Sequence, residues 1–178
     1  MRKSSAQGYT LLQLAIVMAM ICVLTAVGIP AFQDLLMRQR LAVTSYRLSS
    51  QLALARSSAI SYGVPVSVCP SSGDGRCRAD NDWSHGWMAY RDLDRQPQPT
   101  DPGNVLGLET APAVTSMTVI SNSGRQAVRF LPDGRSAGSN LSIRICGKGR
   151  LMAEVIVNNA GRTRLAKAAA SQACQAKS

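Results

Sequence analysis

The sequence predicts an α+β protein in which one long N-terminal helix packs on an antiparallel β-sheet domain. No charged side chain occurs from Ser4 to Gln33. An apolar stripe at helical spacing then continues to about Tyr62. Beyond Gly63, short segments alternate apolar and polar residues between polar loops, as half-buried strands do. A long helix followed by several strands gives the α+β class.

The uncharged segment is long enough to cross a membrane. Arg2 and Lys3 precede it, and Asp34 ends it. A bilayer core needs about 20 mostly apolar helical residues, and a basic flank favours the cytoplasmic side. A secretory signal peptide has a shorter apolar core, and its cleavage site follows that core. We therefore expect one inner-membrane span ending at about Ala31, with a periplasmic domain after it.

The N-terminus resembles that of a type IV prepilin. From Gly8 onward it reads Gly-Tyr-Thr-Leu-Leu-Gln-Leu-Ala, after a short basic leader. The resemblance implies that a prepilin peptidase removes residues 1–8 after Gly8, and that Tyr9 becomes the N-methylated terminus. It also implies that the helix, residues 9–62, contacts other pilins and minor pilins. A simple membrane anchor is the alternative.

One residue departs from the prepilin pattern. The family usually has glutamate at the fifth mature position, where it is thought to pair with a neighbouring subunit's N-terminal amine. This chain has Gln13, an amide that accepts a hydrogen bond but carries no charge. The departure favours a low-copy or tip position over ordinary packing in a pilus shaft.

The helix is predicted to continue beyond the membrane to Tyr62, where Gly63 and Pro65 end it. Apolar residues recur in this stretch at spacings of three, four and seven, which gives one apolar face. That face is predicted to pack on the sheet. Its members are Leu41, Leu48, Leu52, Ala55 and Ala59.

The domain after the helix, residues 63–178, is predicted to consist of strands and polar loops. Strands are predicted at 64–68, in the segment from Trp83 to Asp92, near 116–121, 126–131, 141–146 and 151–157, and from Arg162 onward, with loops at 70–82 and 95–104.

The cysteines indicate an oxidising compartment. Cys22 lies in the span as a small apolar filler. The other four suit two disulfides, for which three pairings are possible. We favour Cys69–Cys77, which closes a short loop, and Cys146–Cys174, which ties down the C-terminal tail.

The net charge of +10 is unevenly distributed. Residues 9–124 carry eight basic and eight acidic side chains, whereas residues 125–178 carry ten basic and two acidic ones. Such asymmetry favours a polyanionic partner. The alternative is a soluble basic surface without a ligand. The ten cations are Arg125, Arg129, Arg135, Arg144, Lys148, Arg150, Arg162, Arg164, Lys167 and Lys177.

The second half resembles the GspH/FimT family of pilin-like proteins. The similarity lies in the segments Trp83–Asp92 and Phe130–Gly134, and in two late cysteines around a Gly-Arg segment. Gly161-Arg162-Thr163-Arg164 resembles the Gly-Arg-x-Arg motif of the FimT minor pilins, which bind DNA in natural transformation. The resemblance implies a minor pilin that binds DNA at the pilus or cell surface.

Arg162 and Arg164 are predicted to hold DNA by its phosphates, with Thr163 and Leu165 facing inward. Two residues apart on an extended chain, their Cα atoms are separated by roughly 6.6 Å. Both guanidinium groups can then contact one phosphate strand without reading its sequence. Gly161 lets the backbone turn sharply and approach a ligand closely. Four further cations are predicted to widen the patch: Arg144, Lys148, Arg150 and Lys167.

Three other functions compete with DNA binding. The basic third could contact protein in a pilus-priming minor pilin or a type II secretion pseudopilin, or its charges could keep an edge strand solvated. An anchored enzyme is disfavoured, because His85 is the only histidine and no Gly-x-Ser-x-Gly motif accompanies it. No cofactor and no metal are predicted. Four aspartates could surround calcium, but they lack EF-hand spacing. These are Asp80, Asp82, Asp92 and Asp94.

Overall fold

The computed structural model describes residues 11–110, 117–122, 125–167 and Cys174. The chain divides into two compact units, one up to Gln39 and one from Arg40 onward. In chain order the elements are α1 (Leu11–Tyr62), β1 (Val66–Pro70), β2 (Gly86–Arg91), β3 (Val105–Thr110), β4 (Met117–Ser121), β5 (Val128–Phe130), β6 (Ser136–Ala137), β7 (Leu141–Gly147), β8 (Arg150–Val157) and β9 (Thr163–Lys167). The predicted α+β class is confirmed.

Helix α1 ends at Tyr62, and Gly63 follows at a φ of 66°. Such a left-handed glycine is a common helix C-terminal cap. From Arg40 onward the helix buries one face, which contains all five residues of the predicted apolar stripe: Leu41, Leu48, Leu52, Ala55 and Ala59.

The first unit contains the N-terminal part of α1. Every side chain from Leu11 to Leu35 is exposed. The helix is long and apolar enough to cross a membrane. The expected cleavage site, Gly8 and Tyr9, lies outside the described residues.

The strands form two antiparallel sheets. One has five strands in the order β3-β2-β1-β5-β6, and the other has four in the order β4-β7-β8-β9. Strands β3 and β6 were not predicted from the sequence. Strand β3 follows a Pro-rich loop and contains Gly107, and β6 has only two residues. Both become strands through pairing with β2 and β5, because sheet formation depends on neighbouring strands more than on local propensity.

The core draws on α1 and on both sheets. Trp83, Trp87 and Phe130 are fully buried, together with Leu48 of the helix. On β7, Leu141, Ile143 and Ile145 share one face and are also fully buried, as expected of a strand that alternates apolar and polar residues. The two sheets are linked near Trp83, whose backbone N–H donates to the carbonyl oxygen of Val119 at 2.8 Å.

Asp92 is a buried carboxylate at the end of β2, only 4% exposed. Its Oδ2 accepts from Ser67 Oγ at 2.8 Å and from Arg129 Nε at 2.6 Å. Arg129 Nη2 also donates to the backbone oxygen of Asp92 at 3.1 Å. A buried ion pair needs such extra hydrogen bonds to offset its desolvation. The charge of Arg129 is therefore paired inside the domain and contributes little to the cationic surface.

Burial of Tyr90 makes the free energy of unfolding depend on pH in the alkaline range. Its side chain is 2% exposed and its hydroxyl donates to the carbonyl oxygen of Gln96 at 2.9 Å. Burial, and then the nearby Asp92 carboxylate, raise the pKa of Tyr90 to about 12. The unfolded value is about 10, so the unfolded chain loses this proton first as the pH rises. The stabilisation is complete below about pH 10 and declines by about 1.4 kcal/mol per pH unit up to pH 12.

We expect the free energy of unfolding, measured by denaturant titration, to decrease less steeply over this pH range in Tyr90→Phe than in wild type. The slopes are compared, because the variant also loses the bond to Gln96 at every pH. Equal slopes in the two proteins would contradict the assignment.

Candidate functional site

Strand β9 lies at the edge of the four-stranded sheet and begins directly after Arg162. Arg162 and Arg164 are exposed. All ten acidic side chains of the protein fall within the described residues, and none of them forms an ion pair with either arginine there. Both charges therefore face solvent without a carboxylate partner in the part of the chain that the structure describes.

The predicted inward face of β9 is only partly buried. Leu165 pairs with buried Val155, and Thr163 pairs with buried Val157. Thr163 is half-buried, but Leu165 is 40% exposed, so its predicted burial is wrong. The reason is the edge position, since β9 pairs only with β8 and the core reaches the edge strand incompletely.

The other predicted cations do not gather around Arg162. Arg144 is half-buried, and its Nε lies 3.5 Å from Glu154 Oε1. Lys167 is three residues beyond Arg164, and successive side chains of a strand point to opposite faces. Lys167 consequently lies on the opposite face from Arg164 and does not extend its surface as predicted.

Lys148 and Arg150 belong to the β7–β8 hairpin, and both are exposed. Lys148 and Gly149 have φ values of 51° and 74°, which fits a two-residue hairpin turn. Arg150 is seven residues along β8 from Val157, the partner of Thr163. At about 3.4 Å per residue, roughly 24 Å separates this hairpin from the level of Thr163. The predicted patch is therefore two separate groups of cations.

The structure contains the two favoured disulfides. The Cα atoms of Cys69 and Cys77 are 5.6 Å apart, and those of Cys146 and Cys174 are 6.0 Å apart. The backbone N–H of Cys174 also donates to the carbonyl oxygen of Gly149 at 3.1 Å. The second disulfide thus holds Cys174 at the β7–β8 hairpin and away from Arg162.

Arg162 is placed by a tight turn of residues 158–162. Gly161 N–H donates to Asn158 O at 2.8 Å, and Asn158 N–H donates to Arg162 O at 3.1 Å. The side-chain oxygen Oδ1 of Asn158 accepts from Arg162 N–H at 2.8 Å. Gly161 has a φ of 74°, which glycine adopts far more readily than other residues.

The space beside Gly161 is filled by the protein itself. Gly161 is buried, and a Cβ atom there would overlap the carbonyl oxygen of Gly134. The same atom would lie 3.1 Å from Arg56 Nε, which donates to Gly134 O at 2.8 Å. The glycine thus serves a backbone-to-backbone contact with Gly134, in a direction where we had expected a ligand.

Sequence analysis missed Arg56 and Arg135 as neighbours of this turn. Arg135 directly follows Gly134, as Arg162 directly follows Gly161. The Gly-Arg pair occurs five times in the chain, so it could not single out Arg135. Arg56 left no signal in the sequence either, because only the folded contact brings the helix to Gly134.

Three of the four aspartates that could surround calcium, Asp80, Asp82 and Asp92, have separate partners. Asp80 pairs with Arg78, whose hydrogen bond lowers the pKa of that carboxyl. Asp82 Oδ2 lies 3.3 Å from His85 Nδ1, and Asp92 is buried against Arg129. Among the described residues no group of three or more His, Cys, Asp or Glu side chains is placed to hold a metal ion.

Replacing Gly161 by Ala tests the backbone contact. We expect a loss of stability because the new Cβ would overlap Gly134 O, in addition to about 1–2 kcal/mol for placing alanine in the left-handed region. Gly149→Ala is the matched control, because Gly149 has the same φ of 74° and no atom within 4 Å of its Cβ position.

Chemical denaturation of the two variants gives the comparison. Gly161→Ala should lose about 1–3 kcal/mol more than Gly149→Ala, the usual cost of overpacking. Equal losses would show that the contact with Gly134 is unimportant.

Comparison with known proteins places this fold in a family. A family model described as Type II transport protein GspH matches residues 44–161, which is more than half of the chain. Arg162 and Arg164 lie just beyond this match. The type IV major fimbrial protein FimA of Dichelobacter nodosus is 29% identical over 110 residues. That alignment spans 60% of this chain and 60% of FimA, so this chain covers less than two thirds of that relative.

Solved structures show the same architecture. Two crystal structures of the type IV minor pilin FimU from Pseudomonas aeruginosa resemble this protein with TM-scores of 0.60 and 0.57, each at 20% identity. The matches cover 79% and 76% of this chain, and 96% and 98% of the FimU chains. The protein therefore belongs to the GspH family and has the α+β fold of type IV pilins.

Proposed function

We propose that this protein is a minor type IV pilin that binds DNA through its phosphate backbone, for DNA uptake in natural transformation. The observation that carries the proposal is the exposure of Arg162, directly before edge strand β9, and of Arg164 within it. No carboxylate pairs with either arginine among the described residues. The two side chains are free to exchange solvent for phosphate oxygens, which suit the guanidinium fork.

Contact with phosphates explains binding to DNA of any sequence. Proteins that grip single strands usually add aromatic side chains, on which bases stack. Phe130 is the only aromatic residue from position 125 to the C-terminus, and it is fully buried. Electrostatic contact with the backbone therefore dominates this mode of binding, and we expect it to weaken steeply with salt.

The N-terminal region would anchor the protein in the inner membrane and later place its domain in a pilus. In this proposal a prepilin peptidase cuts after Gly8, Tyr9 becomes the methylated terminus, and α1 anchors the protein in the inner membrane. The domain from residue 63 onward is then periplasmic. The helix later contacts other pilins in a pilus, and uncharged Gln13 suits a subunit of low copy number. No catalytic step is part of this function.

A structural role is the rival function. The family description refers to type II transport, which favours a pseudopilin whose basic surface contacts another subunit. DNA binding by the purified protein distinguishes the two, because a purely structural subunit has no need of an affinity for polyphosphate.

The double variant Arg162→Gln and Arg164→Gln tests the proposal. We expect its affinity for a labelled DNA duplex to fall below detection in a fluorescence-anisotropy titration of the full chain in nonionic detergent. The reason is the loss of two phosphate contacts, each contributing about −0.9 to the slope of log affinity against log salt. Thermal unfolding should change little, because both side chains are exposed.

The double variant Arg38→Gln and Arg40→Gln is the matched control. These two arginines are also two positions apart in the sequence, and both are exposed on α1. Their replacement changes the net charge by the same amount. Equal loss of binding in both double variants would indicate attraction by overall charge, and retained binding without Arg162 and Arg164 would contradict the proposal.

A further inference from the structure

The turn that precedes Arg162 has a structural twin. Residues 131–135 connect β5 to β6 with the same two backbone hydrogen bonds as residues 158–162. Gly134 N–H donates to Leu131 O at 2.8 Å, and Leu131 N–H donates to Arg135 O at 2.8 Å. Gly134 has a φ of 79°, close to that of Gly161. Each turn therefore ends in a left-handed glycine followed by an arginine.

The two turns are joined at their glycines. Gly134 O lies where a Cβ of Gly161 would be, and Ser136 N–H donates to Asn159 O at 3.1 Å. Arg135 directly follows Gly134, and Arg162 directly follows Gly161. Since consecutive Cα atoms are about 3.8 Å apart, the Cα atom of each arginine lies within about 3.8 Å of the Cα atom of a junction glycine. The two turns come from different sheets, so the junction brings together charges that are 27 positions apart in the chain.

Arg56 adds a third cation at the junction. Its Nε donates to Gly134 O, and its side chain is half-buried. No carboxylate pairs with Arg56 among the described residues. The terminal amino groups of its guanidinium remain available to an anion while Nε holds the turn.

Arg135 differs from Arg56 because it forms an ion pair, with Asp133. Arg135 Nε lies 2.7 Å from Asp133 Oδ2, and Arg135 N–H donates to Asp133 Oδ1 at 3.0 Å. These bonds, the backbone one first, hold the pKa of Asp133 below its usual range, so the carboxylate is charged at neutral pH. Both side chains are largely exposed, and this pair is open to competition from phosphate.

We propose that Arg56 and Arg135 extend the phosphate-binding surface of Arg162 across the glycine junction, and that Asp133 attenuates it. The proposal rests on the proposed DNA binding and adds the position of the bound strand, which passes over the junction and away from the β7–β8 hairpin. Asp133 repels phosphate and occupies Arg135, so its charge sets an upper limit on affinity.

Asp133→Asn should increase DNA affinity. The asparagine oxygen still accepts from Arg135 N–H and preserves the turn, while the charge is removed. One additional phosphate contact adds about −0.9 to the salt slope and tightens binding about eightfold at 0.1 M salt. The measurement is the anisotropy titration of the full chain in nonionic detergent, with a labelled duplex at several salt concentrations.

Asp74→Asn is the matched control. Asp74 is exposed, is followed two positions later by Arg76, and its Oδ1 accepts from Arg76 N–H at 3.1 Å. It lies in the loop after the Pro70 end of β1, whereas the 131–135 turn lies at the Val66 end. Adding Arg135→Gln to Asp133→Asn should remove most of the gain. Equal affinities of Asp133→Asn and Asp74→Asn, or a gain that persists without Arg135, would overturn the inference.

Arg56 is tested by two substitutions. Arg56→Gln should weaken DNA binding and make the salt slope shallower by about 0.9, and Arg56→Lys should retain most of the affinity as a point charge. Equal losses of DNA affinity in the two variants would show that Arg56 only holds Gly134. They would contradict its assignment to the phosphate-binding surface. Loss of binding in the Arg162 and Arg164 double variant, together with no effect at Asp133 and Arg56, refutes this inference but leaves the proposed function standing. No effect in any of them refutes both.

Discussion

The contact between Gly161 and Gly134 sets the position of the residues around the basic turn, residues 158–162. A carbonyl oxygen occupies the space of a side chain at Gly161, and Arg56 fixes that oxygen from the helix. Two tight turns from separate sheets are thereby locked to each other and to α1. An exposed arginine on such a support loses less conformational freedom on binding than one on a loose tail, because its backbone is already ordered.

The fold also decides which of the many cations are available to a partner. Arg129 is held by buried Asp92, Arg144 lies beside Glu154, and the guanidinium of Arg125 donates to backbone oxygens of Ala137 and Ser139. Burial lowers the pKa of Arg125, and its charge serves the strand connection. A large formal charge is therefore a poor measure of binding surface, since ion pairs and burial remove part of it.

The two disulfides and the junction stabilise different parts of the second unit. Cys69 and Cys77 close the loop that follows β1, while the bond between Cys146 and Cys174 holds Cys174 at the β7–β8 hairpin. The turn of residues 158–162 contains no cysteine. It is held by hydrogen bonds and by the close contact of Gly161 with Gly134, where neither residue carries a side chain.

The sequence by itself determined the long helix with its apolar face, most of the strands, the family resemblance and the arginine pair after Gly161. Each of these is encoded by periodicity or by a local motif, which neighbouring residues suffice to specify. Only the tertiary structure decided the division into two sheets, the short strands β3 and β6, the pairing of Arg144 with Glu154, and the exposure of Leu165 at the sheet edge. It alone brought Arg56 and Arg135 to Gly161, because these contacts join residues far apart in the chain and depend on strand register and close backbone packing.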